Sequence, residues 1–359
     1  MTDRVPLLTT RERWLRTLAG QPVDRAPFQE TVGPEDLPRW EREGFPPGAD
    51  FHAHFGFDDL RAIAWVETPD PPFPAAVIEE RPDSRVERLA DGSLVERSTR
   101  ISFQHVIQAP VATAGDWEEY AARLVPGPQR LAAAPAHLAA LREAQAAGRC
   151  AVRSWMSGFF GYPRQLLGPE GHLLAFVDQP QLLEAMGRHW EEFQAAMIEE
   201  ATACIEIDYF IIGEDIAYKN GSFIGAAMFR QFLAPHYRRV VGLLKARGVR
   251  HVLVDTDGDF RALVPWFEEV GVTGFSPVEV QAGMKVAQLR QRHPGLAFIG
   301  GVDKRLLSAP PGQLEWHLEH EIGPVVRAGG YVPGCDHAVP RETSYAQYCH
   351  YLALLRALL

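Results

Sequence analysis

Short apolar runs alternate with amphipathic helices through most of this sequence, and that alternation restricts the fold more than any other feature. The runs AVRSWMSG (151–158), YFIIGED (209–215), RHVLVDTD (250–257), VTGFSPVE (272–279), LAFIGGVD (296–303) and GYVPGCD (330–336) read as buried strands. The stretches between them, such as PQLLEAMGRHWEEFQAAMIEEATACIE and AAMFRQFLAPHYRRVVGLLKARG, carry helical periodicity. Several end in a glycine placed as a helix C-cap, at Gly248, Gly271 and Gly329. Strands separated by helices pair in parallel, and a series of right-handed crossovers closes most easily as a (β/α)8 TIM barrel. Earlier in the chain, RAPFQETV and DLRAIAWV supply the first two strands. RVERLADGSLVERSTR alternates about Asp91-Gly92, which predicts a type I′ hairpin, so residues 67–110 read as a β-hairpin excursion from the barrel. The Ala-rich RLAAAPAHLAALREAQAAG reads as a helix leading into the third strand. The expected architecture is α/β: one TIM-barrel domain over residues 1–359, with an N-terminal extension and the hairpin insertion.

The length of 359 residues exceeds the roughly 250 of a typical barrel by enough for both additions. A formal charge of −10, with no compensating Lys/Arg cluster, argues against a nucleic-acid partner. Cys150, Cys204, Cys335 and Cys349 are far apart, which fits a reducing cytoplasm better than a disulfide framework. The start, MTDRVPLLTTRERW, lacks the apolar core of a signal peptide, and no run approaches the length of a membrane span. The expectation is a cytoplasmic protein without membrane contact.

In a parallel barrel, chemistry gathers at the C-terminal ends of the strands. Polar residues there are dense: Glu214-Asp215 followed by Tyr218 and Lys219, then Asp255-Thr256-Asp257, Glu279, Asp303-Lys304-Arg305, and Cys335-Asp336-His337. Asp255 and Asp257, two apart on one strand, point to one face, as a divalent-metal site or an acid/base pair requires. The competing reading makes them caps of the next helix. For Glu214 and Asp215 the alternative is an ion pair with Lys219, for Glu279 an arginine partner, and for Asp303 a helix start paired with its neighbours. Cys335 and His337 share the same two-residue spacing, and a thiolate with an imidazole suits zinc. SWMSGFFGYPRQLLG brings Trp155 and Phe159 as candidate walls of a substrate pocket, with Tyr218 and Lys219 opposite.

From about Thr10 onward the chain resembles the uroporphyrinogen decarboxylase superfamily, which also contains cobalamin-dependent methyltransferases. The motifs that carry the resemblance are RERWLRTLAGQPVDRAPF, GEDIAYKNG, DTDGD, GVTGFSPVE, FIGGVDKR and GGYVPGCDHAVP. The decarboxylases bind substrate carboxylates through an arginine motif after the first strand. RAPFQETVGPEDLPRW has no such motif, although His337 matches their histidine at the last strand. The methyltransferase branch holds zinc through a His-x-Cys and a later Cys. The resemblance places these positions on Asp255, Asp257 and Cys335, a harder ligand set.

The resemblance therefore implies an enzyme acting on a small organic substrate by metal-assisted methyl transfer. A divalent metal such as zinc would sit on Asp255, Asp257 and Cys335, with His337, Glu279, Glu214 and Asp215 as acid/base groups and a corrinoid protein as methyl partner. The alternatives are a cofactor-free decarboxylase and a non-catalytic binding barrel. Assembly as a homodimer stays open.

Overall fold

The computed structural model describes residues 7–30, 32–33, 36–98 and 104–359. Its main layer is a curled, all-parallel sheet of seven strands. In chain order the strands are β1 (Leu60–Ile63), then β2 to β5 of a separate sheet (Ala76–Glu80, Ser84–Arg88, Leu94–Ser98, Gln104–Gln108), β6 (Ala151–Ser157) and β7 (Tyr209–Gly213). A two-strand ribbon follows, β8 (Ala217–Tyr218) with β9 (Gly221–Ser222), and then β10 (His251–Asp255), β11 (Gly274–Val278), β12 (Ala297–Gly300) and β13 (Tyr331–Val332). The parallel order β1-β6-β7-β10-β11-β12-β13 follows the chain, as successive crossovers dictate. Every apolar run read as a strand from residue 151 onward lies in this sheet.

The ladder does not close. RAPFQETV forms no strand among its described residues, and no ladder joins β1 to β13 among the described residues. The Phe28 carbonyl accepts a hydrogen bond from Asp58 N at 2.8 Å, just ahead of β1. Two residues later, Glu30 Oε1 accepts from Cys335 N at 2.8 Å, just beyond β13. The segment thus spans the seam mainly through a side chain. The fold is a parallel half-barrel, where a full TIM barrel was expected.

The insertion is larger than a hairpin. β2 to β5 make a four-stranded antiparallel sheet, and β3 and β4 pair with Arg88 opposite Leu94. Five residues connect them, closed by Leu89 N to Ser93 O at 2.8 Å. Gly92 has φ 91°, whereas Asp91 is not left-handed, so the expected type I′ turn is replaced by a longer loop.

Burial explains the sheet. β7 is YFIIG with its first four residues buried, a strand covered on both faces. Outside it pack helices such as Pro180–Cys204, which buries Met186, Trp190, Phe193 and Met197. Inside the curl, Ala151, Tyr209, Ile211, Leu253, Ala297 and Val332 meet Trp14 and Leu18 of the first helix, Thr10–Leu18. That helix starts on a capping box, with Thr9 and Glu12 bonding each other's backbone amides. Buried Arg13 fixes it by bonding Asp24 and Asp58 at 2.7 Å each. Among the described residues, no helix is long and apolar enough to cross a membrane.

Candidate active site

Above the apolar plug the curl opens into a cavity of about 420 Å³ at the C-terminal ends of the strands. Its wall includes Arg153, Asp255, Ser276, Ile299 and the buried Asp336, and its rim Asp215, Asp257 and His337. These positions follow from register: Asp255 pairs with Gly213 on one side and Ser276 on the other, at the last rung of β10.

Asp255 faces this enclosed space. Burial, then the neighbouring charges of Asp257 and Asp215, push its carboxyl up to about 7, against the pull of Ser276 and Arg153. Asp257 has turned outward, and His337 Nε2 donates to its Oδ1 at 2.9 Å. That bond holds Asp257 below the usual carboxylate range. The same bond, with the nearby Asp336, pushes the His337 imidazole up to about 9. Asp336 lies 3.8 Å from Nδ1, beyond hydrogen-bond reach, and acts there as a charge. Its own Oδ2 accepts from Val280 N at 3.0 Å. His337 Nδ1 is buried and lacks a hydrogen-bond partner. Glu279, half-buried, accepts from Gly258 N at 2.7 Å. Asp257, Glu279 and His337 together offer three ligand atoms, all within 4.8 Å of one another.

The residues singled out in the sequence are thus divided. The trio gathers Asp257 with Glu279 and His337. Asp255 and Cys335 both line the cavity but lie outside that trio. The Cys335 thiol is pushed well above the usual range by burial and by the Glu30 carboxylate, with Tyr351 also beside it. Glu214 is buried behind the cavity and accepts from the amides of Phe159, Phe160 and Gly161 at 2.7 to 2.8 Å. Burial pushes its carboxyl up to about 8 even so. Asp215 is exposed at the rim in a left-handed conformation, φ 49°, and meets Arg164 at 3.3 Å.

Neither Asp255 nor Asp257 caps a helix, since the next one starts at Val264 with no side-chain cap. Asp303 pairs with Arg305, as the helix-start reading has it. Among the candidate walls, Phe159 is buried against His236 with ring centroids 5.2 Å apart. Trp155 is 42% exposed, its ring over Gly213 where any side chain would collide with it. Tyr218 is exposed and stacks on Phe223, and Lys219 is exposed.

Sequence reading missed Arg153 and Glu30. Arg153 sits inside AVRSWMSG, two residues before Trp155, so the period of a strand puts both on one face. A charge inside an otherwise apolar strand was the available signal. Arg25, just ahead of the first expected strand, is engaged by Asp58 at 2.5 Å.

No family model matches the chain, and no curated protein matches it. Among solved structures, a B12-independent methionine synthase from Shewanella sp. W3-18-1, in complex with selenomethionine, is 10% identical. It covers 93% of this chain and 92% of its own, with a TM-score of 0.43. A structure of the pneumococcal virulence factor StrH, described for N-glycan recognition and hydrolysis, is also 10% identical. There 96% of this chain and 85% of the other are covered, with a TM-score of 0.38.

Proposed function

We propose that the chain is an enzyme that moves a methyl group from a small organic substrate bound in the mouth, assisted by a divalent cation. The observation that carries this reading is the trio of Asp257, Glu279 and His337 at the open end of a cavity walled by Asp255. Two carboxylates and an imidazole fit a borderline or hard divalent cation, such as zinc or manganese. His337 Nδ1 makes no hydrogen bond, and a cation held by the ring would have to displace the proton that Asp257 and Asp336 favour there, so binding should strengthen as pH rises through about 9. The Cys335 position implied for the methyltransferase branch is not among the three residues whose ligand atoms converge here.

When bound, the cation would supply Lewis acidity toward a substrate oxygen or nitrogen. Asp255 then has a distinct task. Its carboxyl titrates near neutrality and faces the cavity, so it can give its proton to the heteroatom that leaves as the methyl group departs. Asp336, by its charge, and Asp257 orient the His337 ring, and Gly258 N fixes Glu279. The methyl acceptor we propose is a corrinoid protein.

Decarboxylation is the second reading. Asp255 favours it too, because a neutral carboxyl at the cavity wall can protonate the carbanion left when carbon dioxide departs.

Elemental analysis of protein purified without chelator, followed by assay with methylated substrates and cob(I)alamin, tests the first reading. Bound metal at about one per chain, with methylcobalamin formed, is the expected result. Metal-free protein that releases carbon dioxide from a carboxylic substrate would replace it with the second.

A further inference from the structure

Among the described residues, arginines of the inner layers are matched either to acids or, as Arg130 is, to several backbone carbonyls. Arg11 meets Asp208, Arg13 meets Asp24 and Asp58, and Arg25 meets Asp58. Arg153 takes part in none of the ion pairs among the described residues, although it projects from a largely buried strand into the mouth cavity. It also borders a side cavity of about 260 Å³ at the open seam, alongside Gln29, Phe51 and Leu60. Its polar neighbour is the buried hydroxyl of Tyr209, and Asp255 feels its charge from further off.

A guanidinium drawn out of bulk water is costly unless an anion answers it, and arginine does not escape by losing its proton. The planar fork matches a carboxylate through two parallel hydrogen bonds. Other ionisable groups around the mouth are mostly acidic: Glu30, Asp215, Asp255, Asp257 and Asp336. A doubly charged phosphate would meet that ring of acids at a greater cost than a single negative charge, which the Arg153 guanidinium beneath can balance. Trp155 shares the Arg153 face of β6 and is partly exposed, so an apolar body beside the anion would find a ring.

We infer that Arg153 anchors a carboxylate of the substrate within the mouth, and that the rest of the molecule extends toward Asp255 and the Asp257–Glu279–His337 group. The inference rests on the mouth being the substrate site. It adds the substrate class: a small, singly charged carboxylic acid. Arg153 would be a specificity-determining residue in a position that the arginine motif of the decarboxylases does not occupy.

The test is binding to dialysed, metal-free full-length protein, so that failure of the cation reading leaves the result standing. Acetate, propionate and benzoate, each beside its neutral amide, are titrated by saturation-transfer NMR. At least one acid should bind, with its amide at least about tenfold weaker, because the amide lacks the charge that answers the guanidinium. Arg153→Gln should weaken the acid by at least about tenfold, and Arg153→Lys by less. Inorganic phosphate should not displace the bound acid. Equal binding of acid and amide, unchanged binding by a folded Arg153→Gln variant, displacement by phosphate, or no binding of any acid would each overturn the inference. If Arg153→Gln does not fold, as judged by circular dichroism, the acid–amide comparison and Arg153→Lys decide the matter.

Discussion

Replacing Asp257 with asparagine removes one arm of the trio and the partner of His337 in a single step. Without metal, the loss is that of one ion pair. Asp257 keeps 49% of its side chain exposed, so solvent screening limits the pair to about 1 kcal/mol. Two carboxylates two residues apart on one strand would be expected to repel, and asparagine would then stabilise. Here His337 already answers Asp257, so metal-free Asp257→Asn should be slightly less stable than wild type. With cation at about 100 times its Kd, wild type gains about 2.7 kcal/mol. At about 2 °C per kcal/mol for a chain of this size, its melting temperature rises by about 5 °C. The variant should gain little at the same concentration. Differential scanning fluorimetry with Zn²⁺ or Mn²⁺, and after chelation, reads both differences. A wild type that melts at one temperature in all conditions, or a variant that responds to metal as wild type does, would refute the cation site.

Three further outcomes follow from other residues. Burial alone would raise the Asp24 carboxyl, but Arg13 and the amides of Leu8 and Arg25 outweigh it and hold it at about 2. Its contribution is therefore full above the unfolded value of 3.8 and is lost as pH falls through about 2, so urea unfolding across that window should show a shallower acid loss in Asp24→Asn. Glu214→Gln puts an amide donor against amides that already donate, and above pH 8, where the native carboxyl is ionised, should cost about 1–3 kcal/mol in chemical denaturation while leaving bound metal unchanged. Cys335, with its thiol held protonated, should react with iodoacetamide at least about tenfold more slowly than a free thiol, by mass spectrometry, and Cys335→Ala should bind as much metal as wild type.

The parallel sheet was legible because apolar runs such as YFIIG and HVLVD have few alternatives to a buried strand. The seam was not. RAPFQETV carries apolar residues at strand-like spacing, yet Asp58 and Cys335 take its hydrogen bonds, and both partners are far from it in sequence. Turn type also escaped, since Asp-Gly favours a tight turn while the β3–β4 register demands five connecting residues. At the site, strand period placed Asp255 and Asp257 on one face. It could not show that one turns inward and the other toward His337, because that choice depends on a residue 80 positions away. Cys335 drew attention by its neighbours, but its environment is set by Glu30 and Tyr351, which no local pattern connects to it.

The Glu30 bridge has a consequence for how the protein is made. Its carboxylate is claimed by Cys335 N, 305 residues on, and by the Tyr351 hydroxyl, 321 residues on, in the helix Tyr345–Leu358. Trp40 reaches the same region through its indole N–H to the Thr343 carbonyl at 3.0 Å. At about 5–20 residues per second, Glu30 waits many seconds for these two late partners while the intervening strands emerge in order. The Glu30 side of the mouth is then completed only after the helix Tyr345–Leu358 has been made. A chain shortened before Tyr351 would keep the seven parallel strands and the Cys335 amide but lose the hydroxyl that completes the Glu30 bridge.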